Sequence, residues 1–145
     1  MDAMLRQPAV AGTFYPADPT ELSNQVGEMI RSARAHPVTP KAIIAPHAGY
    51  RFSGPTAGHA YRTLLGRNTE IERVVLVGPN HRMPLKGMAV ASQDFWATPL
   101  GPVAIDWDSI RGILDDPAVA LNDAPFAGEH GLDAVALVGE GLDHL

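Results

Sequence analysis

Lys41-Ala42-Ile43-Ile44-Ala45-Pro46-His47 is one of two stretches on which the prediction of the fold depends, and the other is Arg73-Val74-Val75-Leu76-Val77-Gly78-Pro79-Asn80-His81. Both are aliphatic and lack polar alternation, which is typical of strands covered on both faces of a parallel sheet. Each ends in a turn that contains a proline and a histidine. The near-repeat therefore predicts strands over residues 41–46 and 73–78, with His47 and His81 at equivalent places beyond them.

A helix is predicted between these two strands. Ser53-Gly54-Pro55 opens it, and Gly66 is suited to end it because glycine tolerates the left-handed conformation of a helix C-terminus. Its buried side is formed by Ala57, Ala60, Tyr61, Leu64 and Leu65. Strand, helix and strand in this order form a βαβ unit, whose crossover is almost always right-handed. We therefore predict an α/β fold with a parallel βαβ core.

Further elements flank this core. Asp18, followed by Pro19 at the first helical position, predicts a helix that ends by His36. Residues 87–92 and 103–105 are strand candidates, and Asp106 is suited to cap a short helix after them. We find no linker, so we expect one domain over residues 1–145.

The net charge and the composition of the chain narrow the range of functions. The net charge of −5 and the pI of about 5.6 argue against a nucleic-acid or anionic-membrane partner. No apolar stretch approaches the roughly 20 residues that span a bilayer, and no secretory signal is visible, so we expect a cytoplasmic protein. The chain has no cysteine. A bound metal must therefore use histidine, carboxylate or main-chain ligands from this chain.

The two histidines are the best candidates for a metal site. In open α/β sheets, ligands bind beyond the carboxyl ends of the strands, where His47 and His81 are both expected. Neighbouring strands lie roughly 4.8 Å apart, so two imidazoles at adjacent strand ends can reach one ion. The alternative is that each histidine simply decorates a loop.

Glu129-His130 is a second candidate pair, at the start of a C-terminal apolar segment. It offers a third metal ligand or an acid/base pair. The alternative is that Glu129 caps a helix and His130 is exposed. No Ser-His-Asp order, phosphate-binding glycine loop or dinucleotide motif is present, and the sequence identifies no catalytic residue.

Five motifs in this chain resemble the MEMO1 family, also called the AmmeMemoRadiSam system protein B family. They are Pro8-Ala9-Val10-Ala11-Gly12 with Phe14-Tyr15-Pro16, Pro46-His47-Ala48-Gly49-Tyr50 with Ser53-Gly54, Gly78-Pro79-Asn80-His81, Thr98-Pro99-Leu100-Gly101, and Glu129-His130. Each is weak alone, but five in the family order are specific. The family is similar in fold to class III extradiol dioxygenases, which use non-haem iron.

The resemblance implies a three-layer-like α/β domain with a metal pocket at the strand ends. The metal is iron or copper in the family, and its metal histidines correspond to His47 and His81. The pocket residues or further ligands expected beside them are Glu129, His130, Asn80, Tyr50 and Gly49.

This chain departs from the family in length. Family members are nearly twice as long, and their second half carries a cysteine ligand, so we expect a domain truncated at its C-terminus. Three hypotheses follow: a metal-binding protein with a redox or oxygenase-like role, a non-enzymatic module that binds a peptide or small molecule, and an inactive family remnant. The sequence leaves enzymatic activity, metal identity and oligomeric state open.

Overall fold

A computed structural model of the chain describes residues 3–67 and 70–133. Their elements are β1 (Leu5–Arg6), α1 (Pro19–Ser32), α2 (Tyr50–Arg62), β2 (Met88–Val90), β3 (Phe95–Thr98), β4 (Gly101–Ala104), α3 (Trp107–Arg111), β5 (Val119–Leu121) and a 3-10 helix over Ala124–Phe126. β1 pairs in parallel with β3, which pairs antiparallel with β4, and β2 pairs in parallel with β5. The predicted α/β class with parallel strand pairing is confirmed.

Helix α1 supplies the centre of the hydrophobic core. Its residues Leu22, Val26 and Ile30 recur at helical spacing and are the largest fully buried side chains among the described residues. The predicted N-terminus is confirmed, because the Asp18 carboxylate accepts a hydrogen bond of 2.8 Å from the backbone N–H of Glu21. This bond satisfies one of the N–H groups that the first helical turn leaves without a partner.

Removing this cap should measurably destabilise the fold. We expect Asp18→Ala to lower the free energy of unfolding by about 1 kcal/mol, because the Glu21 N–H loses its acceptor. Asp18→Ser retains an acceptor oxygen and should remain close to the wild type. Urea unfolding followed by circular dichroism measures both variants, and equal midpoints for Asp18→Ala and the wild type would contradict the prediction.

Helix α2 begins three residues earlier than the Ser53-Gly54-Pro55 motif predicts. A distant segment sets this start, because the backbone N–H of Tyr50 donates to the carbonyl oxygen of Phe14 at 2.7 Å. Gly58 brings α2 close to α1. A Cβ added there would lie 2.5 Å from the carbonyl oxygen of Met29, so the two helix backbones touch where α2 has no side chain.

The prediction of strands over residues 41–46 and 73–78 was wrong. Neither belongs to a strand of the structure, and the parallel pairs are β1–β3 and β2–β5 instead. A parallel strand without polar residues needs a layer on each face and a hydrogen-bonded neighbour. Ile43 and Ala45 do pack against the helical core, but Ile44 between them is fully exposed. The described residues therefore cover the 41–46 segment on one side only.

The other local predictions agree better with the structure. β2 lies within the predicted 87–92 strand, β4 overlaps residues 103–105, and Asp106 caps α3 by accepting from the Ser109 N–H. Among the described residues, no helix combines the length and apolar character needed to cross a membrane. The single domain predicted for residues 1–145 extends into 134–145, which lie outside the described residues.

Candidate metal centre

Three histidines from distant parts of the sequence form one cluster. His47 follows the 41–46 segment, His81 follows the Gly78-Pro79 turn, and His130 lies near the end of the described chain. One ring nitrogen from each lies within 4.8 Å of the other two. The rings of His81 and His130 are stacked, with centroids 4.5 Å apart. The predicted juxtaposition of His47 and His81 is present, and His130 joins them as a third imidazole.

The ring nitrogens of His47 and His81 are spaced as two ligands of one ion would be. Their Nε2 atoms lie 3.3 Å apart. Two nitrogens that each bind an ion at roughly 2.0–2.1 Å in tetrahedral geometry are separated by roughly 3.3 Å. The same spacing permits a hydrogen bond between the rings when one nitrogen carries a proton. The geometry thus fits a shared ion or a shared proton.

Glu129 holds this arrangement from behind His81. Its Oε1 lies 2.8 Å from Nδ1 of His81, and its Oε2 accepts from the His81 backbone N–H at 2.9 Å. Oε1 also accepts from the backbone N–H groups of His130 and Gly131, each at 2.9 Å. If His81 donates from Nδ1, its Nε2 is left with a free lone pair that faces His47. A carboxylate behind a ligating imidazole is the usual arrangement in metal sites.

The ionisation states of Glu129 and His130 are suited to a metal site. Burial works against ionisation of the Glu129 carboxyl, but hydrogen bonds from the N–H groups of Gly131, His81 and His130 and from the His81 ring outweigh it and lower its pKa to about 2. Burial also lowers the pKa of His130, assisted by the neighbouring rings of His81 and His47, although Glu129 opposes that shift. Glu129 is therefore charged at neutral pH, and the His130 ring is biased towards the neutral form that binds metals.

Close packing sets the position of the Glu129–Gly131 turn. A Cβ added to Gly131 would lie 3.2 Å from Cδ2 of His47, so a side chain here would crowd the cluster. On the other side, the Phe14 ring lies against His130 with centroids 4.7 Å apart. The motif that contains Phe14 thus contributes an apolar wall to the histidine cluster.

The other predicted pocket residues stand outside the group of three ligand atoms. The Asn80 side chain organises its own turn, donating to the Met83 carbonyl oxygen at 2.6 Å and accepting from the Arg82 N–H at 3.1 Å. Gly49 is the N-cap of α2. Tyr50 is buried in the core against Tyr15, and burial raises the pKa of its hydroxyl. Their predicted role in the pocket stays a prediction.

A buried arginine that the sequence did not single out also holds the segment around Glu129. Arg6 in β1 pairs with Asp133, and both side chains are buried. The Arg6 guanidinium also donates to the carbonyl oxygen of Phe126 at 2.9 Å and to that of Glu129 at 3.1 Å, and it lies over the Trp96 ring. Because Arg6 and Asp133 are 127 residues apart, local sequence spacing carries no signal for this pair.

The sequence also matches a known protein family over most of its length. The sequence profile described as Memo-like protein matches residues 6–137, which is most of the chain. The chain belongs to the Memo-like family. The resemblance inferred from the five sequence motifs is therefore confirmed.

Individual relatives support the same assignment. A MEMO1 family protein of Methanopyrus kandleri is 39% identical over 145 residues, covering 90% of this chain and 49% of its own length. One of Aquifex aeolicus is 42% identical over 130 residues, covering 89% and 47%. One of Thermotoga neapolitana is 32% identical over 131 residues, covering 83% and 47%. The Memo-like chain thus spans about half the length of the curated relatives it matches.

Proposed function

We propose that this chain is a metal-binding member of the Memo-like family in which His47, His81 and His130 bind one iron or copper ion, in support of a redox or oxygenase-like role. The observation that carries the proposal is the 3.3 Å separation of the His47 and His81 Nε2 atoms. A hydrogen bond between the two rings also fits this distance, but the third imidazole within 4.8 Å and the carboxylate behind His81 favour a shared ion.

The donor set favours a transition metal. Imidazole nitrogens suit iron, copper, nickel and zinc, whereas magnesium and calcium prefer oxygen ligands. The Glu129 carboxylate is occupied by four hydrogen-bond donors, which favours three imidazoles over a set of two histidines and one carboxylate. A bound iron or copper ion supplies one-electron and dioxygen chemistry to such a site.

The residues of this chain would orient and tune the site. Glu129 accepts from His81 Nδ1, which keeps Nε2 available and makes the ring a stronger ligand. Phe14 shields His130 from water on one side, which helps to keep that ring neutral. Three protein ligands also leave a coordination position for water, substrate or a ligand from another polypeptide.

Metal binding tests the proposal directly. We expect the purified chain to bind about one Fe(II) or Cu(II) ion in anaerobic titration calorimetry, confirmed by elemental analysis after gel filtration. The double variant His47→Ala/His81→Ala should lose at least about a hundredfold in affinity, because two of the three imidazoles are removed. Circular dichroism checks that it remains folded.

The chain offers a matched control with two other histidines. His36 and His59 are both exposed, their ring centroids lie 6.1 Å apart, and neither belongs to the cluster. His36→Ala/His59→Ala should therefore bind metal as the wild type does. Equal metal content in the wild type and in His47→Ala/His81→Ala would refute the proposed site, as would loss of metal only in the control.

A further inference from the structure

The side chain of Met29 in α1 packs against α2 at a glycine. It is partly buried and lies against the hydrophobic core. A Cβ added to Gly54 of α2 would overlap Sδ of Met29 and would lie 3.4 Å from its Cε. The sulfur therefore occupies the space that a side chain at position 54 would fill, and it has no room for a further atom on that side.

Met29 can also be reached from solvent. It borders a cavity of about 300 Å³ between α1 and the N-terminal end of α2. Glu28 and Arg51 line the same cavity and are both exposed, so the cavity opens to water. A small neutral oxidant can therefore diffuse to the Met29 side chain while the sulfur stays packed against Gly54.

We propose that Met29 is an oxidative modification site through which hydrogen peroxide loosens the contact between α1 and α2. In this reaction the Met29 sulfur loses two electrons and gains one oxygen atom of the peroxide, and the other oxygen leaves with both protons as water. The product, methionine sulfoxide, is larger and polar. Because the sulfur is packed against Gly54, the added oxygen must displace α2 or draw the side chain out of the core.

A displacement of α2 at Gly54 would reach the turn that carries His47. Gly54 follows Ser53, whose hydroxyl donates to the Ala48 carbonyl oxygen at 2.7 Å. This hydrogen bond ties the first turn of α2 to the residue after His47. Oxidation of Met29 should therefore loosen residues 48–54, and this effect requires no bound metal.

Treatment of the metal-free chain with hydrogen peroxide tests the inference. We expect peptide mass spectrometry to find methionine sulfoxide at Met29 as well as at Met4 and Met88, which are 51% and 53% exposed. The melting temperature should fall by at least about 3 °C. Amide hydrogen exchange of residues 48–54 should become at least about tenfold faster. Treatment with methionine sulfoxide reductases should reverse both changes.

Matched variants assign the effect to Met29. Met29→Leu keeps the side-chain volume but has no sulfur, so peroxide should leave its melting temperature and exchange unchanged. Met4→Leu/Met88→Leu retains Met29 and should respond as the wild type does. Met29→Gln places a polar group of similar size beside Gly54 and should melt below Met29→Leu without peroxide. The inference is overturned if Met29 stays unoxidised in the folded chain, if Met29→Leu responds as the wild type does, or if Met29→Gln is as stable as Met29→Leu.

Discussion

Replacing Glu129 with alanine should lower the free energy of unfolding by about 3 kcal/mol or more and weaken metal binding by 10- to 100-fold. Glu129 is 3% exposed, and its carboxylate accepts from three backbone N–H groups, those of His81, His130 and Gly131. A buried donor left without an acceptor costs about 1–3 kcal/mol. Loss of a carboxylate behind a ligating imidazole typically lowers metal affinity by about 10- to 100-fold.

Two variants separate these effects. Glu129→Gln keeps one acceptor oxygen for the turn but places an amide near the remaining N–H donors, so its stability should fall between those of the wild type and Glu129→Ala. Glu28→Ala removes an exposed carboxylate on α1 and should have little effect on either quantity. Denaturant unfolding of the metal-free chain gives stability, and calorimetry gives affinity. A Glu129→Ala variant that matches Glu28→Ala in both measurements would contradict the assigned role.

Replacing Arg6 with methionine should lower the free energy of unfolding by about 3–5 kcal/mol. The Asp133 carboxylate would remain buried without its charge partner, and breaking such a pair from one side costs that amount. The carbonyl groups of Phe126 and Glu129 would lose their guanidinium donor as well. We also expect weaker metal binding, because these carbonyls border the turn that carries His130.

A double variant and a matched ion pair make the Arg6 prediction specific. Arg6→Met/Asp133→Asn removes both charges and keeps an acceptor for the Ala9 N–H, so it should be less destabilised than the sum of the single changes. Arg111 and Asp108 form an exposed pair on α3. Arg111→Met should cost at most about 1 kcal/mol. Equal losses for Arg6→Met and Arg111→Met in thermal unfolding would show that burial of the Arg6 pair has no special effect.

Local chemistry explains why some of this fold could be read from the sequence. Asp18 and Asp106 act through hydrogen bonds to residues three positions away, so their identity and position suffice to predict the helix starts. The start of α2 was predicted less well. Its first residue, Tyr50, depends on a hydrogen bond to Phe14, which lies in a different part of the chain.

The aliphatic segments show that a sequence pattern alone does not predict which segments pair as strands. Residues 41–46 and 73–78 have the composition of strands buried on both faces, yet composition describes the surroundings a segment is suited to, not the neighbours it has. Within the described residues those neighbours are missing on one side, and Ile44 and Val77 are exposed. The strand prediction failed because composition alone does not supply the paired strand and the covering layer that a buried strand needs.

For the candidate site, the sequence by itself determined the metal-capable side chains and the turns that carry them. The repeated proline turns singled out His47 and His81, and the Glu129-His130 pair stood out as a source of further ligands. Only the tertiary structure decided that His130 joins the cluster, that Glu129 lies behind His81, and that Arg6 fixes the turn from across the chain. The reason is physical: residue type sets what a side chain can bind, but contacts between residues 48 to 127 positions apart exist only once the chain has folded.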